Sequence, residues 1–451
     1  MSNQLRQEID ESPMGSFQWG AIAICVILNA LDGFDVLVMA FTAAGVSAEW
    51  KLNGAQLGVL FSAGLLGMAA GSVLLAPMAD RWGRQTITLL SLVLISAGML
   101  LSGFSNSQHE LAAMRALTGL GIGGLLASVT VIIGEYSSNK WRSTNIALYT
   151  AGYPLGATVG GLFASWLLTH YGWRSVFIAG GIATACMIPV VLWRLPESVD
   201  FLLARRPARA LEKINRLLAL MGRQPLNQMP AVVAAGGKQQ RSISALFKGE
   251  LARSTILTWS AFFLLMFSFY FALSWTPKLL VSAGLTATQG ITGGVLLNLG
   301  GILGGVLFGL VAVRVRLAWL TGLCLLISSV FVAAFGWMAG TLTPAFVVAF
   351  GIGIFMFAAM AGLYGVTQAA YPAGVRTTGM GYAIGVGRLG AILAPLTAGV
   401  LLDGGWKPNA LYYAFAVPLV FAAITMLAMS KKSAPTAGTQ RDISGTAAAP
   451  N

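Results

Sequence analysis

The sequence predicts an all-α membrane protein, with twelve transmembrane helices arranged as two six-helix bundles and both termini cytoplasmic. Three observations carry that reading. Of 451 residues, 56% are hydrophobic and only 10% charged, whereas soluble domains run near 25% charged. Apolar runs of the ~20 residues needed to cross a bilayer recur along the chain. The second half also repeats features of the first at a nearly fixed offset. With 28 basic and 15 acidic residues, a chain of this length cannot coat two or three soluble domains. That composition argues against a soluble enzyme, a nucleic-acid binder and a disordered scaffold.

The start, MSNQLRQEIDESP, is polar and acidic and does not read as a cleavable signal peptide. Residues 1–17 are expected to be a cytoplasmic tail. Spans are expected at 18–44, 55–79, 86–104, 111–134, 144–168 and 174–194, which form the first bundle (18–194). The polar, basic stretch 195–253 contains Pro196, Pro207 and Pro225 and reads as a cytoplasmic central loop. Spans at 254–276, 289–312, 317–338, 343–366, 378–401 and 409–429 form the second bundle (254–429). Residues 430–451, rich in Ala, Thr and Gly, read as a disordered cytoplasmic tail. Gly is abundant, at 55 residues, and membrane helices use it for close backbone approach.

Basic residues fix the orientation. With the N-terminus inside, 22 of the 28 Lys and Arg fall on inner segments, 4 on outer ones (Lys51, Arg174, Lys278, Lys407) and 2 within spans (Arg115, Arg388). The positive-inside rule therefore accounts for the net charge of +13. Cys25, Cys186 and Cys324 lie far apart in apolar runs, which supports neither a disulfide framework nor a metal site.

The halves correspond residue by residue. Gln56, Gly67, Gly71 and Arg81 recur as Gln289, Gly300, Gly304 and Arg314. Tyr136, Arg142, Leu155, Gly156 and Ala157 recur as Tyr371, Arg376, Leu389, Gly390 and Ala391. A parallel 6+6 repeat places a substrate near the midplane between the halves.

Ionisable groups at membrane depth are costly and are functional candidates by default. Asn29, Asp32 and Asp35 are spaced i, i+3, i+6 and form one polar stripe inside the first span. Two carboxylates one turn apart repel when both are ionised, so one or both can hold and release a proton. The alternative is that one Asp pairs with a neighbouring Arg and merely anchors the span. The repeat positions, Leu265 and Ser268, are not acidic, so the pair is an asymmetric addition to a symmetric scaffold.

Arg115 opens the fourth span; it either pairs with those carboxylates or snorkels to the outer surface. Arg388 lies inside the eleventh span, and its repeat partner is Pro154. A carboxylate substrate would supply the missing partner, because a guanidinium binds carboxylate bidentately; a structural pair with another span is the alternative. Phe263, Phe267 and Tyr270 share one face of the seventh span, and Phe34 neighbours Asp35. These rings could stack on a ring-shaped ligand, or they could be ordinary bulk facing lipid. At the inner ends, Asp80, Arg81 and Arg84 join spans 2 and 3, with Glu135 as the expected partner of the two bases. Such ion pairs can lock one conformation and break in another, or they can simply set topology. The second half keeps Arg314 but lacks the Asp. No P-loop or dinucleotide motif is present, so neither ATP-driven transport nor redox chemistry is indicated.

Several motifs resemble the major facilitator superfamily. They are Asp80-Arg81-x-Gly83-Arg84, Arg115-x-x-x-Gly119, Glu135 followed by Arg142, Pro196-Glu197-Ser198, and Tyr371-Pro372-x-x-Val375-Arg376-x-x-Gly379. Ala76 and Gln85 depart from the loop signature. Within the superfamily, Asp32-Gly33-Phe34-Asp35, Trp275-Thr-Pro-Lys-Leu and Gly387-Arg388-Leu-Gly390-Ala are similar to the aromatic acid:proton symporters. The resemblance implies proton-driven uptake of benzoate-type or hydroxybenzoate-type anions across a bacterial inner membrane. It implies roles for Asp32 and Asp35 in transport, and for Asp80 and Arg84 in the conformational switch. The expected partners are the aromatic anion, protons and the bilayer, with no nucleic acid, metal or cofactor, and a monomer. A symporter of a non-aromatic acid, a proton-coupled drug exporter and a non-transporting membrane sensor are the rivals.

Overall fold

A computed structural model describes residues 10–207, 209–229, 243–338 and 340–430. The expectations for residues 1–9 and 431–451, including Arg6, Lys431, Lys432 and Arg441, lie outside the described residues, as does 230–242 of the central loop. The described residues form helices joined by turns and links. The first six long helices are α1 (Ser16–Trp50), α2 (Gly54–Trp82), α3 (Arg84–Gly103), α4 (Gln108–Tyr136), α5 (Arg142–Tyr171) and α6 (Trp173–Arg194). Two short helices follow, α7 (Val199–Arg205) and α8 (Ala210–Leu220), and then a 3₁₀ turn (Ile243–Phe247). The remaining long helices are α9 (Glu250–Ser282), α10 (Ala287–Ala312), α11 (Leu317–Met338), α12 (Leu342–Ala370), α13 (Ala373–Asp403) and α14 (Pro408–Ser430).

Among the described residues, eleven helices are long and apolar enough to cross a membrane. The twelfth long helix, α5, is not among them. Its 30 residues include Arg142, Ser143, Thr144, Asn145, Thr150, Thr158 and several glycines, which lower its hydropathy. The central loop is more ordered than its polarity suggests. In α8, Ala210, Ile214, Leu217 and Leu218 are buried along one face, an i, i+4, i+7, i+8 stripe. Helix α9 also runs past Trp275 and through Pro277 to Ser282, beyond the expected end near 276.

The repeat has a physical basis in helix starts and helix crossings. Gln56 recurs as Gln289 because each closes a capping box. Asn53 Oδ1 accepts from the Gln56 N–H at 2.8 Å, and Gln56 Oε1 accepts from the Asn53 N–H at 3.0 Å. Thr286 and Gln289 repeat this exchange at 3.2 and 2.9 Å, satisfying donors that the helix itself leaves open. The glycines recur because two helix pairs touch through backbone. A Cβ at Gly67 or Gly71 of α2 would strike the Ala116 or Leu120 carbonyl of α4; one at Gly300 or Gly304 of α10 would strike the Phe350 or Ile354 carbonyl of α12.

The long helices pack chiefly within α1–α6 and within α9–α14, and the two sets meet along α2–α13, α5–α10 and α1–α9. At the end of the molecule that carries Asn53, the sets are bonded. Asp403 Oδ1 and Oδ2 accept from the Gly54 and Ala55 N–H groups at 2.6 and 2.8 Å. Ser62 Oγ donates to the Ile392 carbonyl at 2.7 Å. Phe61 meets Trp275 edge to face at 5.3 Å.

Candidate functional site

The polar stripe of α1 is buried where three helices converge. Asn29, Asp32 and Asp35 are 5%, 1% and 1% exposed. Gly33 brings α1 against α5 so closely that a Cβ there would overlap the Tyr153 carbonyl. Asn29 Nδ2 donates to the Tyr149 carbonyl at 2.6 Å. Asp35 Oδ2 accepts from Thr184 Oγ1 of α6 at 3.4 Å. Asp35 Oδ1 and both oxygens of Asp32 are buried without a hydrogen-bond partner. A carboxylate buried without partners is costly to keep charged.

Arg115 is 3% exposed, so it does not snorkel. Its Nη2 donates to the main-chain carbonyl of Asp35 at 2.8 Å, and Nη1 lies 3.5 Å from Met99 Sδ. Its guanidinium carbon stands 5.9 Å from the Phe177 ring centroid. Arg115 thus meets the α1 stripe at the Asp35 main chain, with no salt bridge to either carboxylate among the described residues. The charge of Arg115 still acts on the Asp35 side chain.

Arg388 of α13 is half-buried and has no hydrogen-bond or ion-pair partner among the described residues. Its charge reaches Asp32 of α1, Tyr153 of α5, Tyr270 of α9 and Tyr364 of α12. This cluster draws on both helix sets and lies on the seam between them. Tyr153, Tyr364 and Thr184 escaped the sequence reading. Tyr153 stands one residue before Pro154, the repeat position of Arg388, so projecting the repeat onto its neighbours would have found it. Tyr364 sits alone among apolar residues and gives only the weak signal of a polar group in mid-span.

The other rings are placed differently. Phe263 and Phe267 stack at 6.0 Å, and Phe267 stacks on Phe415 of α14 at 4.8 Å. Phe34 packs against Gly160 and Gly180 and borders an apolar cavity of about 340 Å³ between α1, α5 and α6. Tyr270 is within reach of the Arg388 charge, and the Phe263–Phe267 backbone packs against Gly390, two residues beyond Arg388.

At the opposite end, Arg84 pairs with Asp80 at 2.6 Å and donates to the Ala79 carbonyl at 2.9 Å. Glu135, expected to pair with Arg81 and Arg84, accepts from Ser198 Oγ at 2.7 Å. Glu197 lies at the centre of this end. Its Oε1 accepts the N–H groups of Arg84, Gln85 and Ser198 at 2.7, 3.2 and 2.8 Å. Gly83 beside it has φ +101°, the left-handed region that glycine adopts without strain. Arg142 pairs with Asp10 at 2.5 Å. Arg376 donates to the Tyr371 carbonyl at 3.2 Å, while Arg81 and Arg314 are exposed.

The chain is similar to known carriers over nearly all its length. It is 30% identical to a gallate transporter of Pseudomonas putida over 420 residues, 93% of each chain. It is 29% identical to the 4-hydroxybenzoate transporter PcaK of Pseudomonas aeruginosa over 429 residues, covering 93% and 94% of the two chains. Among solved structures, a bacterial homologue of the human lysosomal transporter Spinster in an inward-facing, occupied conformation superposes with TM-score 0.70 at 20% identity, covering 93% of this chain and 98% of that one. The xylose transporter XylE of E. coli, in a partially occluded inward-open conformation, gives 0.69 at 16% identity, covering 92% and 99%. The Major Facilitator Superfamily model matches residues 22–395, and with the fold and its buried charges on the same chain, this protein belongs to the Major Facilitator Superfamily.

Proposed function

We propose that the protein is a proton-coupled symporter that imports an aromatic carboxylate, of the benzoate or hydroxybenzoate kind, across a bacterial inner membrane. The observation that carries this reading is a pair of unsatisfied groups on different helix sets, the Asp32 carboxylate of α1, buried without a hydrogen-bond partner, and Arg388 of α13, half-buried and unpaired among the described residues. The guanidinium binds the substrate carboxylate, and Tyr153, Tyr270 and Tyr364 surround the ring. Asp32 and Asp35 carry the proton, and Arg115 holds the Asp35 segment in place. The similarity to a gallate and a 4-hydroxybenzoate transporter supports the aromatic class. In this reading all twelve long helices cross the membrane, α5 among them, since its 30 residues are long enough to span. Both termini and the Asp80 end face the cytoplasm, and the two sets rock around the seam by alternating access. The proton gradient is the energy source, so no cofactor, metal or ATP is needed, and the monomer suffices.

The test is uptake of labelled 4-hydroxybenzoate, benzoate and an aliphatic acid into proteoliposomes with the external medium acidic. Gradient-dependent accumulation of the aromatic acids is the expected outcome. Accumulation that ignores the gradient, or that survives Asp32→Asn and Asp35→Asn undiminished, would sink the coupling. Preference for the aliphatic acid would favour the rival symporter.

A further inference from the structure

A second cavity, of about 760 Å³, opens at the Asp80 end and is unrelated to the Arg388 cluster. Its wall combines the ends of α2, α3 and α6 with the amphipathic helix α8. Four bases line it, Arg81, Arg194, Lys213 and Arg216. None of them has an ion pair among the described residues. The acid in the wall, Glu197, is occupied by the three backbone N–H groups at the start of α3 and α7. The cavity is therefore strongly cationic, with its one carboxylate already committed to the fold.

The rim is apolar and aromatic. Trp82 and Trp193 border the cavity and are 54% and 79% exposed, as tryptophans are where bilayer meets water. Leu192, also in the wall, is 55% exposed and begins the outward face of α6, continued by Val190 and Ile182 at 36% and 53%. A pocket of bases that opens beside an apolar helix face suits an amphiphile with an anionic head. Topology alone explains why bases gather at this end. It does not explain why four of them converge on one cavity between two exposed tryptophans.

We propose that this cavity binds the phosphate headgroup of an anionic phospholipid of the adjoining leaflet, with its acyl chains lying along α6. Each basic residue near an anionic surface contributes about fivefold to binding. Lys213 and Arg216 bring α8 to the headgroup, so an occupied site clamps the central segment onto the first helix set.

The test is native mass spectrometry of the purified full-length chain titrated with phosphatidylglycerol or phosphatidylcholine. Phosphatidylglycerol is expected to be retained in preference. The triple variant Arg194→Gln/Lys213→Gln/Arg216→Gln is expected to lose that preference by on the order of a hundredfold. Lys248→Gln/Arg253→Gln, which removes charge just before and at the start of α9, is expected to keep it. Equal retention of the two lipids by the unaltered chain overturns the proposal without reliance on any variant. Displacement of phosphatidylglycerol by millimolar inorganic phosphate would assign the cavity to a soluble anion instead, and full retention by the triple variant would place the lipid elsewhere.

Discussion

The carboxylate of Asp403, at the last residue of α13, accepts the Gly54 N–H at the first residue of α2, 2.6 Å away, and the neighbouring Ala55 N–H at 2.8 Å. A side chain of one helix set thereby caps a helix of the other. The contact is favoured twice, by open donors at the helix start and by the positive end of the helix dipole. Gly54, Gly58 and Gly399 make it possible, since a Cβ at any of them would strike backbone across the seam. If this end opens during the proposed transport cycle, both hydrogen bonds must break. Asp403→Asn is expected to shift the balance toward the open form by about 1–2 kcal/mol, or five- to thirtyfold. The distance between spin labels at exposed Lys51 and Lys407 would report it, and an unchanged distribution would count against the latch.

The glycine repeat makes a sharper structural prediction, because two nearby glycines of α10 face opposite surroundings. A Cβ at Gly304 would collide with the Ile354 carbonyl, whereas one at Gly305 would meet nothing within 4 Å. Gly304→Ala is expected to cost about 1–3 kcal/mol through overpacking. Gly305→Ala is expected to be neutral or stabilising by up to about 1 kcal/mol, since alanine is the better helix former. Thermal unfolding of the two variants in one detergent distinguishes them, and equal midpoints would refute the packing account.

Much of this arrangement was legible in the sequence. Long apolar runs and a 233-residue offset report helix packing directly, because each recurring glycine or glutamine solves the same steric or capping problem twice. The buried charges were legible because a membrane interior makes every ionisable group conspicuous. The missed residues fail for the same physical reasons. Tyr153 and Tyr364 are amphipathic, so their placement in a span costs little and leaves no mark. The stacking of Phe267 on Phe415 depends on how α9 meets α14, which no local pattern encodes. Helix α8 was hidden by averaging over a loop whose net character is basic, although its own four-residue stripe is clear. The Ser198 hydroxyl that reaches Glu135 comes from the link after α6, which no charge pattern points to.

Glu197 is expected to matter more for stability than Asp80, although Asp80 is the more conspicuous acid. Glu197 Oε1 gathers three main-chain N–H groups from two segments, while Asp80 is exposed and pairs with Arg84, the first residue of the next helix. An exposed pair contributes at most about 1 kcal/mol. Hydrogen bonds to a charged acceptor contribute roughly 1.5–3 kcal/mol, and the orphaned donors add to the loss. Glu197→Ala should therefore lower the unfolding midpoint clearly, and Asp80→Ala only slightly. The reverse ranking would show that the α3 start is held by something other than this carboxylate.

Arg388 separates a charge requirement from a geometric one. If the guanidinium binds a carboxylate through two parallel N–H groups, lysine keeps the charge and loses the fork. Arg388→Lys is then expected to weaken substrate binding by about 1–2 kcal/mol, about five- to thirtyfold in KM. Arg388→Ala should go further, since the incoming carboxylate would enter the seam unpaired. Asp32 lies in the same field, so the two effects must be told apart. A role in substrate recognition raises KM for the acid and leaves proton-driven uptake of saturating substrate intact. A role confined to Asp32 changes the dependence on pH and spares KM. Tyr364→Phe is an internal control, because it removes one hydroxyl beside Arg388 and leaves the charges in place. Its effect should be greater for 4-hydroxybenzoate than for benzoate if that hydroxyl meets the ring substituent, because a site built to hydrogen-bond a hydroxyl discriminates against the ligand that lacks one. Kinetics of labelled uptake for both acids, over a pH series, would resolve all three variants. Equal losses for the two acids would move Tyr364 from recognition of the ring to packing of the seam.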